Sequence, residues 1–231
     1  MKIIFMGTPQ FGVPILNEIN KEHEVVLIVT QPDHVNRKKI IFSPIKEYAL
    51  KHDLEIFQPK NVNKDNDLLF KYSADLIVTA AYGQFIGNKI LNYPKHGCIN
   101  VHGSLLPKYR GGAPIQRAII NGDKFTGITI LYMDRKMDSG EMIKQSKIKI
   151  DYLDTQDSLF KKLSILGSEM ILDVIHDIDK GTVVKVKQDE TEITYAYNLT
   201  NEDIEINFNN KALDIYNQIR GLNSNPGAYF F

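Results

Sequence analysis

Residues 2–30 read KIIFMGTPQFGVPILNEINKEHEVVLIVT. Lys2 to Met6 is a short β-branched and apolar run, broken at once by Gly-Thr-Pro; Val13 to Asn20 carries a helical pattern; Glu24 to Thr30 is a second β-branched run. Strand, helix and strand in that order make a βαβ unit, which requires parallel strands. Working outward, the same alternation continues through a helical pattern at Pro44 to Lys51, a strand at Leu76 to Ala80, a helix at Asn88 to Leu91 and a strand at Cys98 to His102. The expected fold class is α/β, an open, mainly parallel twisted sheet with helices on both faces. Thr126 to Tyr132 and Met142 to Ile150 add two strands. Leu159, Leu163, Leu166, Met170, Val174 and Ile178 then recur at helical spacing behind a cap at Thr155 or Asp157. These elements are expected to close a domain over residues 1–181. Residues 182–231 are polar, Asn-rich and weakly periodic, and read as a linker with one short helix, Ala212 to Ile219.

The totals exclude several function classes. With 231 residues, 43% hydrophobic and 24% charged, the chain has the composition of an ordinary globular protein. Lysine plus arginine equals aspartate plus glutamate at 28 each, so no global field recruits nucleic acid or membrane, and such a contact must come from a local patch. One cysteine, Cys98, forbids an internal disulfide and leaves no thiolate cluster for zinc, which fits a reducing, cytoplasmic setting. The apolar start is too short for a signal peptide, and no stretch is long enough for a membrane span. A monomer is expected.

In open α/β sheets, ligands bind beyond the carboxyl ends of the strands. Four loops follow strands here: Gly7 to Gly12, Thr30 to Asp33, Ala81 to Gln84 and Gly103 to Pro114. The first does not carry G-x-G-x-x-G, and Pro9 lacks the amide a pyrophosphate would need, so a dinucleotide is not expected. Asn100 and His102 stand two apart at the end of a strand and so share a face. An amide and an imidazole that converge can donate hydrogen bonds to an oxygen that becomes negative, given a carboxylate to fix the ring. Asp138, in Met137-Asp138-Ser139-Gly140-Glu141, is the candidate carboxylate; on sequence alone the turn-former reading outweighs it. His23, His34, His52 and His176 read as structural or surface residues. Ser104 lacks a G-x-S-x-G elbow, and no H-E-x-x-H or paired cysteine marks a metal site. Arg37, Lys38 and Lys39 read equally as a solvated face or as a phosphate-binding loop.

The segments IIFMGTPQFGVPIL, VTQPD, AAYGQFI, GCINVHGSLLPKYRGGAPIQRAIINGD and YMDRKMDSGEM resemble, in register along the chain, the methionyl-tRNA formyltransferase family. The resemblance implies a Rossmann-like formyltransferase domain. It also implies transfer of a formyl group from 10-formyltetrahydrofolate to methionine on the initiator tRNA, without a metal. It places Asn100, His102 and Asp138 at the catalytic trio, and Ser104, Leu105, Leu106 and Pro107 in the folate-contacting loop. Ala81, Tyr82, Gly83 and Gln84 fall on the pterin pocket, and Arg37, Lys38 and Lys39 in the loop that meets the tRNA. In the family a small β-barrel domain usually follows; here it is expected to be missing, with Phe231 standing where the barrel should begin. The linker also departs from the family, with Asn223-Ser224-Asn225-Pro226-Gly227-Ala228 where Asn-Pro-Trp-Pro-Gly-Ala is usual. Two other readings remain at this point, an amino-sugar N-formyltransferase and a folate-binding module without turnover.

Overall fold

The computed structural model describes residues 1–36 and 39–231. Arg37 and Lys38, two of the three cations expected to meet tRNA, lie outside the described residues. In chain order the first half holds β1 (Lys2–Gly7), α1 (Gly12–Glu22), β2 (Glu24–Val29), β3 (His34–Asn36), β4 (Lys39–Ile41), α2 (Pro44–Lys51), β5 (Ile56–Phe57) and β6 (Leu76–Ala80). The second half holds α3 (Asn88–Leu91), β7 (Cys98–His102), α4 (Pro114–Ile120), β8 (Phe125–Tyr132), β9 (Met142–Lys149), α5 (Gln156–Lys180), α6 (Asn201–Ile204) and α7 (Ala212–Gly221).

Seven strands form one sheet in the order β5-β2-β1-β6-β7-β8-β9. The first five run parallel, and β8 and β9 continue the sheet antiparallel. The chain moves outward from β1 to β2 and β5, then returns to the other side of β1 for β6 and β7. This reversal opens a crevice at the carboxyl ends of β1, β6 and β7. Alternation along β1 divides the core: Ile3 and Phe5 meet Ile15, Leu16 and Ile19 of α1 and Leu163 and Ile171 of α5. Ile4 and Met6 face the opposite layer with Val62, Leu69, Ile86 and Ile90. All four β1 side chains have no exposed surface, and each such burial is worth about 1.5–3 kcal/mol.

Local chemistry accounts for the long helix. The Thr155 side chain accepts from the Ser158 amide at 3.3 Å, and the Ser158 hydroxyl accepts from the Thr155 amide at 3.0 Å, which closes a capping box at the start of α5. Gly181 ends it in the left-handed region, φ 69°. Elements absent from the sequence expectation are short ones. β5 has two residues and exists through its pairing with β2, and α4 has seven, starting on Pro114 directly after a glycine loop.

Residues 182–231 lie back along this sheet domain. Val186 exchanges two backbone hydrogen bonds with Met142, each 2.8 Å, and Tyr195 bridges to Arg110. α7 seats against α4, with the buried Arg220 donating to the carbonyl oxygens of Asp151 (3.1 Å) and Asp154 (2.9 Å). The Arg117 guanidinium of α4 meets the Asp203 carboxylate of α6 in a two-pronged pair at 2.5 and 2.8 Å, and holds that carboxyl down at about 2. A carboxyl depressed in the folded state stabilises it fully above its ordinary value of 3.8, and that contribution is lost as pH falls through about 2. The expected size is on the order of 2 kcal/mol. Because Thr200 also donates to this carboxylate, denaturant unfolding of wild type and Arg117→Ala should differ by up to about that much at pH 7, and the difference should shrink between about pH 4 and 2. A difference independent of pH would remove the pair as its source.

Candidate active site

The crevice is a cavity of about 600 Å³, within the range of small-molecule sites. Its walls come from Pro9 and Phe11 after β1, Ala81 to Ile86 after β6, Asn100 to Gly103 at the end of β7, Gly111 and Gly112, and Asp134 with Lys136 to Asp138 between β8 and β9. Asn100, His102 and Asp138 converge in it. The Asn100 side-chain amide donates to Asp138 Oδ1 at 3.3 Å, and the Gly111 backbone amide donates to Asp138 Oδ2 at 2.9 Å. His102 Nδ1 lies 3.6 Å from the same Oδ2.

Satisfying every partner assigns the hydrogens. A carboxylate only accepts, so the face of Asn100 turned to Asp138 is its NH₂, and Oδ1 must be the atom that accepts from the Thr79 hydroxyl at 2.8 Å. That leaves Asn100 with a second N–H on the cavity wall. His102 Nε2 lies 2.9 Å from the Tyr109 carbonyl oxygen, which also only accepts, so Nε2 carries a hydrogen and donates it. The ring is 5% exposed and held at Nε2, while Nδ1 faces the carboxylate beyond hydrogen-bond distance.

The backbone is strained where it holds these groups. Among the described residues, the non-glycine positions at positive φ are Asp53, Ala81 (49°), Tyr109 (63°) and Asp138 (50°). All but the first either line the cavity or hold His102. A left-handed residue costs about 1–2 kcal/mol, so its retention here points to function. The turn that carries Asp138 needs Gly140, because a Cβ there would collide with the Tyr132 carbonyl oxygen. From the returning segment, the Gln188 amide donates to the carbonyl oxygens of Asp138 (2.8 Å) and Gly140 (2.9 Å), while its own oxygen accepts from Arg110 at 2.8 and 3.0 Å.

The sequence profile of the formyl transferase family matches residues 1–175, and that of its C-terminal domain matches residues 198–231. The methionyl-tRNA formyltransferase of Staphylococcus aureus (strain MW2) is 47% identical over 232 residues, covering 99% of this chain and 75% of that protein. The chain belongs to the methionyl-tRNA formyltransferase family. Its fold is also that of two solved structures of low identity. The N-formyltransferase of Helicobacter canadensis, in complex with folinic acid and dTDP-3-aminofucose, has a TM-score of 0.76 at 21% identity, over 96% of this chain and 80% of that one. A 4-N formyltransferase of Francisella tularensis has a TM-score of 0.77 at 22% identity, over 99% of this chain and 91% of that one.

Not every expected residue of this formyltransferase reaches the cavity. Ala81, Tyr82, Gly83 and Gln84 are on its wall, braced from behind: the Tyr82 carbonyl accepts from Thr8 and Gln31, and Gln84 donates to Pro59 and accepts from the Val62 amide. Ser104, Leu105, Leu106 and Pro107 are not on it. Ser104 and Leu106 are buried, and Leu105 faces a second, smaller hollow with Lys108 and Phe125. Three backbone groups of this loop are bound inside the protein. Thr129 bridges the Ser104 carbonyl (2.7 Å) and the Leu106 amide (3.1 Å), and Gln145 donates to the Leu106 carbonyl at 3.0 Å. This loop therefore supports the segment that carries Tyr109 and Gly111. Lys39, at the start of β4, is exposed on the β3–β4 hairpin. Cys98 is buried and its thiol is pushed up to about 12 by burial, which removes it as a nucleophile.

Sequence reasoning missed Thr79, Tyr109 and Gln188. Thr79 had a usable signal: it lies in the strand beside Asn100 and pairs with it in register. Gln188 had none, since its partners lie 48 to 78 residues away. Replacing Thr79 by valine keeps its shape but frees the Asn100 amide to rotate. Turnover should fall about tenfold or more while the folate dissociation constant stays within a factor of two. Unchanged turnover would show that Asn100 does not depend on this hydroxyl.

Proposed function

We propose that the chain transfers the formyl group of 10-formyltetrahydrofolate to the amine of methionine on charged initiator tRNA. The observation that carries this reading is the spare N–H of Asn100 beside a buried imidazole and carboxylate, on the wall of a cavity large enough for the reacting end of a folate. The sequence relationship to methionyl-tRNA formyltransferases, over nearly the whole chain, favours tRNA over an amino sugar as acceptor.

The reaction joins the amine nitrogen to the formyl carbon and breaks the bond from that carbon to folate N10. Negative charge develops on the formyl oxygen in between. A fixed donor at that position stabilises it without reorganisation. Asn100 fills this role, since one of its hydrogens is bound by Asp138 and the other is free. With Nε2–H committed to Tyr109, the other ring nitrogen, Nδ1, is the one left to receive the proton the amine loses, and Asp138 at 3.6 Å stabilises the cation that results. The proton then passes to N10 as it leaves, so atoms and charge balance. Asp138 positions both partners and the Gly111 loop at once. Arg37, Lys38 and Lys39 supply cations for the phosphates of the acceptor stem. A reducing cytoplasm is the setting that fits the single buried thiol, and the acting form in this reading is a monomer.

Formyl transfer to charged initiator tRNA, run beside a panel of nucleotide-linked amino sugars, tests the reading. Wild type should act on the tRNA, and Arg37→Ala should raise KM for it. Asn100→Ala should lower kcat about a hundredfold or more, the scale for one lost oxyanion donor, with folate still bound. Turnover within about tenfold of wild type in Asn100→Ala would sink the assignment of that donor. Preference for a sugar would overturn the acceptor.

A further inference from the structure

At the rim of the cavity, two tyrosines of the returning segment stand out from the surface. Tyr197 is 70% exposed and Tyr195 54%, yet the residue between them, Ala196, has no exposed surface. That alternation is the mark of an extended segment with one face buried, and it puts both rings on the other face. The rings lie parallel, 9° between planes and 5.6 Å between centroids. Tyr197 and Asn198 also line the cavity, with Lys136 among the lining residues.

The segment is rigid. Its backbone pairs with the glycine loop through Arg110 N to Thr194 O (2.9 Å), Ala196 N to Arg110 O (2.7 Å) and Ala113 N to Ala196 O (3.0 Å), and Arg117 donates to the Tyr197 carbonyl at 3.3 Å. It is also coupled to the reacting groups. Gly111 has φ 124° and lies so close to Ala196 that a Cβ would come within 2.6 Å of its carbonyl oxygen, while its amide donates to Asp138. The two rings thus stand on the same backbone that holds the catalytic carboxylate.

We propose that Tyr197 and Tyr195 form the stacking platform for the last nucleobases of the acceptor strand, with Tyr197 under the terminal base. This rests on the proposed tRNA reading and adds the part of the substrate that the site grips. Tyr197 lines the same cavity as Asn100, so a nucleotide held on its ring would have its aminoacyl ester directed into the site. A base has a flat π-face and no need of sequence-specific donors, which is what two exposed parallel rings offer. Held in advance by the backbone pairing, the rings cost little to order. Lys136 supplies a cation on the cavity wall for the backbone phosphate. The folate is then left the part of the wall formed by Ala81 to Gln84.

The test places 2-aminopurine at the terminal position of the initiator tRNA and follows its fluorescence on binding to the full chain. Wild type and Tyr197→Phe should quench it by stacking, and Tyr197→Ala should not. KM for charged tRNA should rise about tenfold in Tyr197→Ala, within the range for one lost base stack, with folate affinity within a factor of two. Quenching retained in Tyr197→Ala overturns the platform, as does wild-type formylation without quenching. A loss of folate affinity equal to the loss for tRNA would place the ring on the folate and also overturn it. Quenching by a wild-type chain that does not formylate the tRNA would support the platform and overturn the proposed reaction instead.

Discussion

The carboxylate of Asp138 is where the separate parts of the site meet. One oxygen accepts from Asn100, and the other accepts from the Gly111 amide and faces His102. Its own carbonyl is tied by Gln188 to the segment that returns from the end of α5. β7, the glycine loop, the turn between β8 and β9 and the returning segment therefore share one anchor. A carboxylate suits this place because it accepts in several directions and donates in none. With its partners fixed, the orientation of the Asn100 amide follows from hydrogen-bond accounting, and the Tyr109 carbonyl places a hydrogen on His102 Nε2.

The sheet determines why these segments can meet. β6 and β7 lie on the opposite side of β1 from β2, so the crevice opens where the chain reverses direction across the sheet, and the loops after β1, β6 and β7 form its walls. The antiparallel β8 and β9 then bring their connecting turn to the carboxyl end of β7. The turn reaches Asn100 only with Asp138 at φ 50° and a glycine at 140. Buried apolar side chains on both faces of β1 provide the stability against which such strained positions are held.

Much of this was legible in the sequence. The βαβ pattern, the boundaries of β6, β7, α2 and α3, and the co-facial Asn100 and His102 all follow from periodicities of one residue type or spacing. Asp138 was legible only as one of two readings, because a turn aspartate and an orienting aspartate have the same local pattern. The position of Ser104 to Pro107 was not legible. Whether backbone groups face a ligand or Thr129 and Gln145 depends on pairing with strands more than twenty residues away. Gln188 was hidden for the same reason, inside a polar stretch that reads as linker. Local pattern reports what a segment is, while tertiary pairing decides what it touches.

Single-turnover formyl transfer by Asp138→Asn beside wild type, with unfolding and folate binding followed in parallel, tests whether this carboxylate assembles the site. An amide cannot accept from Asn100 and Gly111 and face His102 with both of its heavy atoms, because one of them donates. Turnover should collapse by at least about a hundredfold while the protein stays folded and the folate still binds. Turnover within about tenfold of wild type would contradict the account, because the site would then be assembled without the anchor on which it is built.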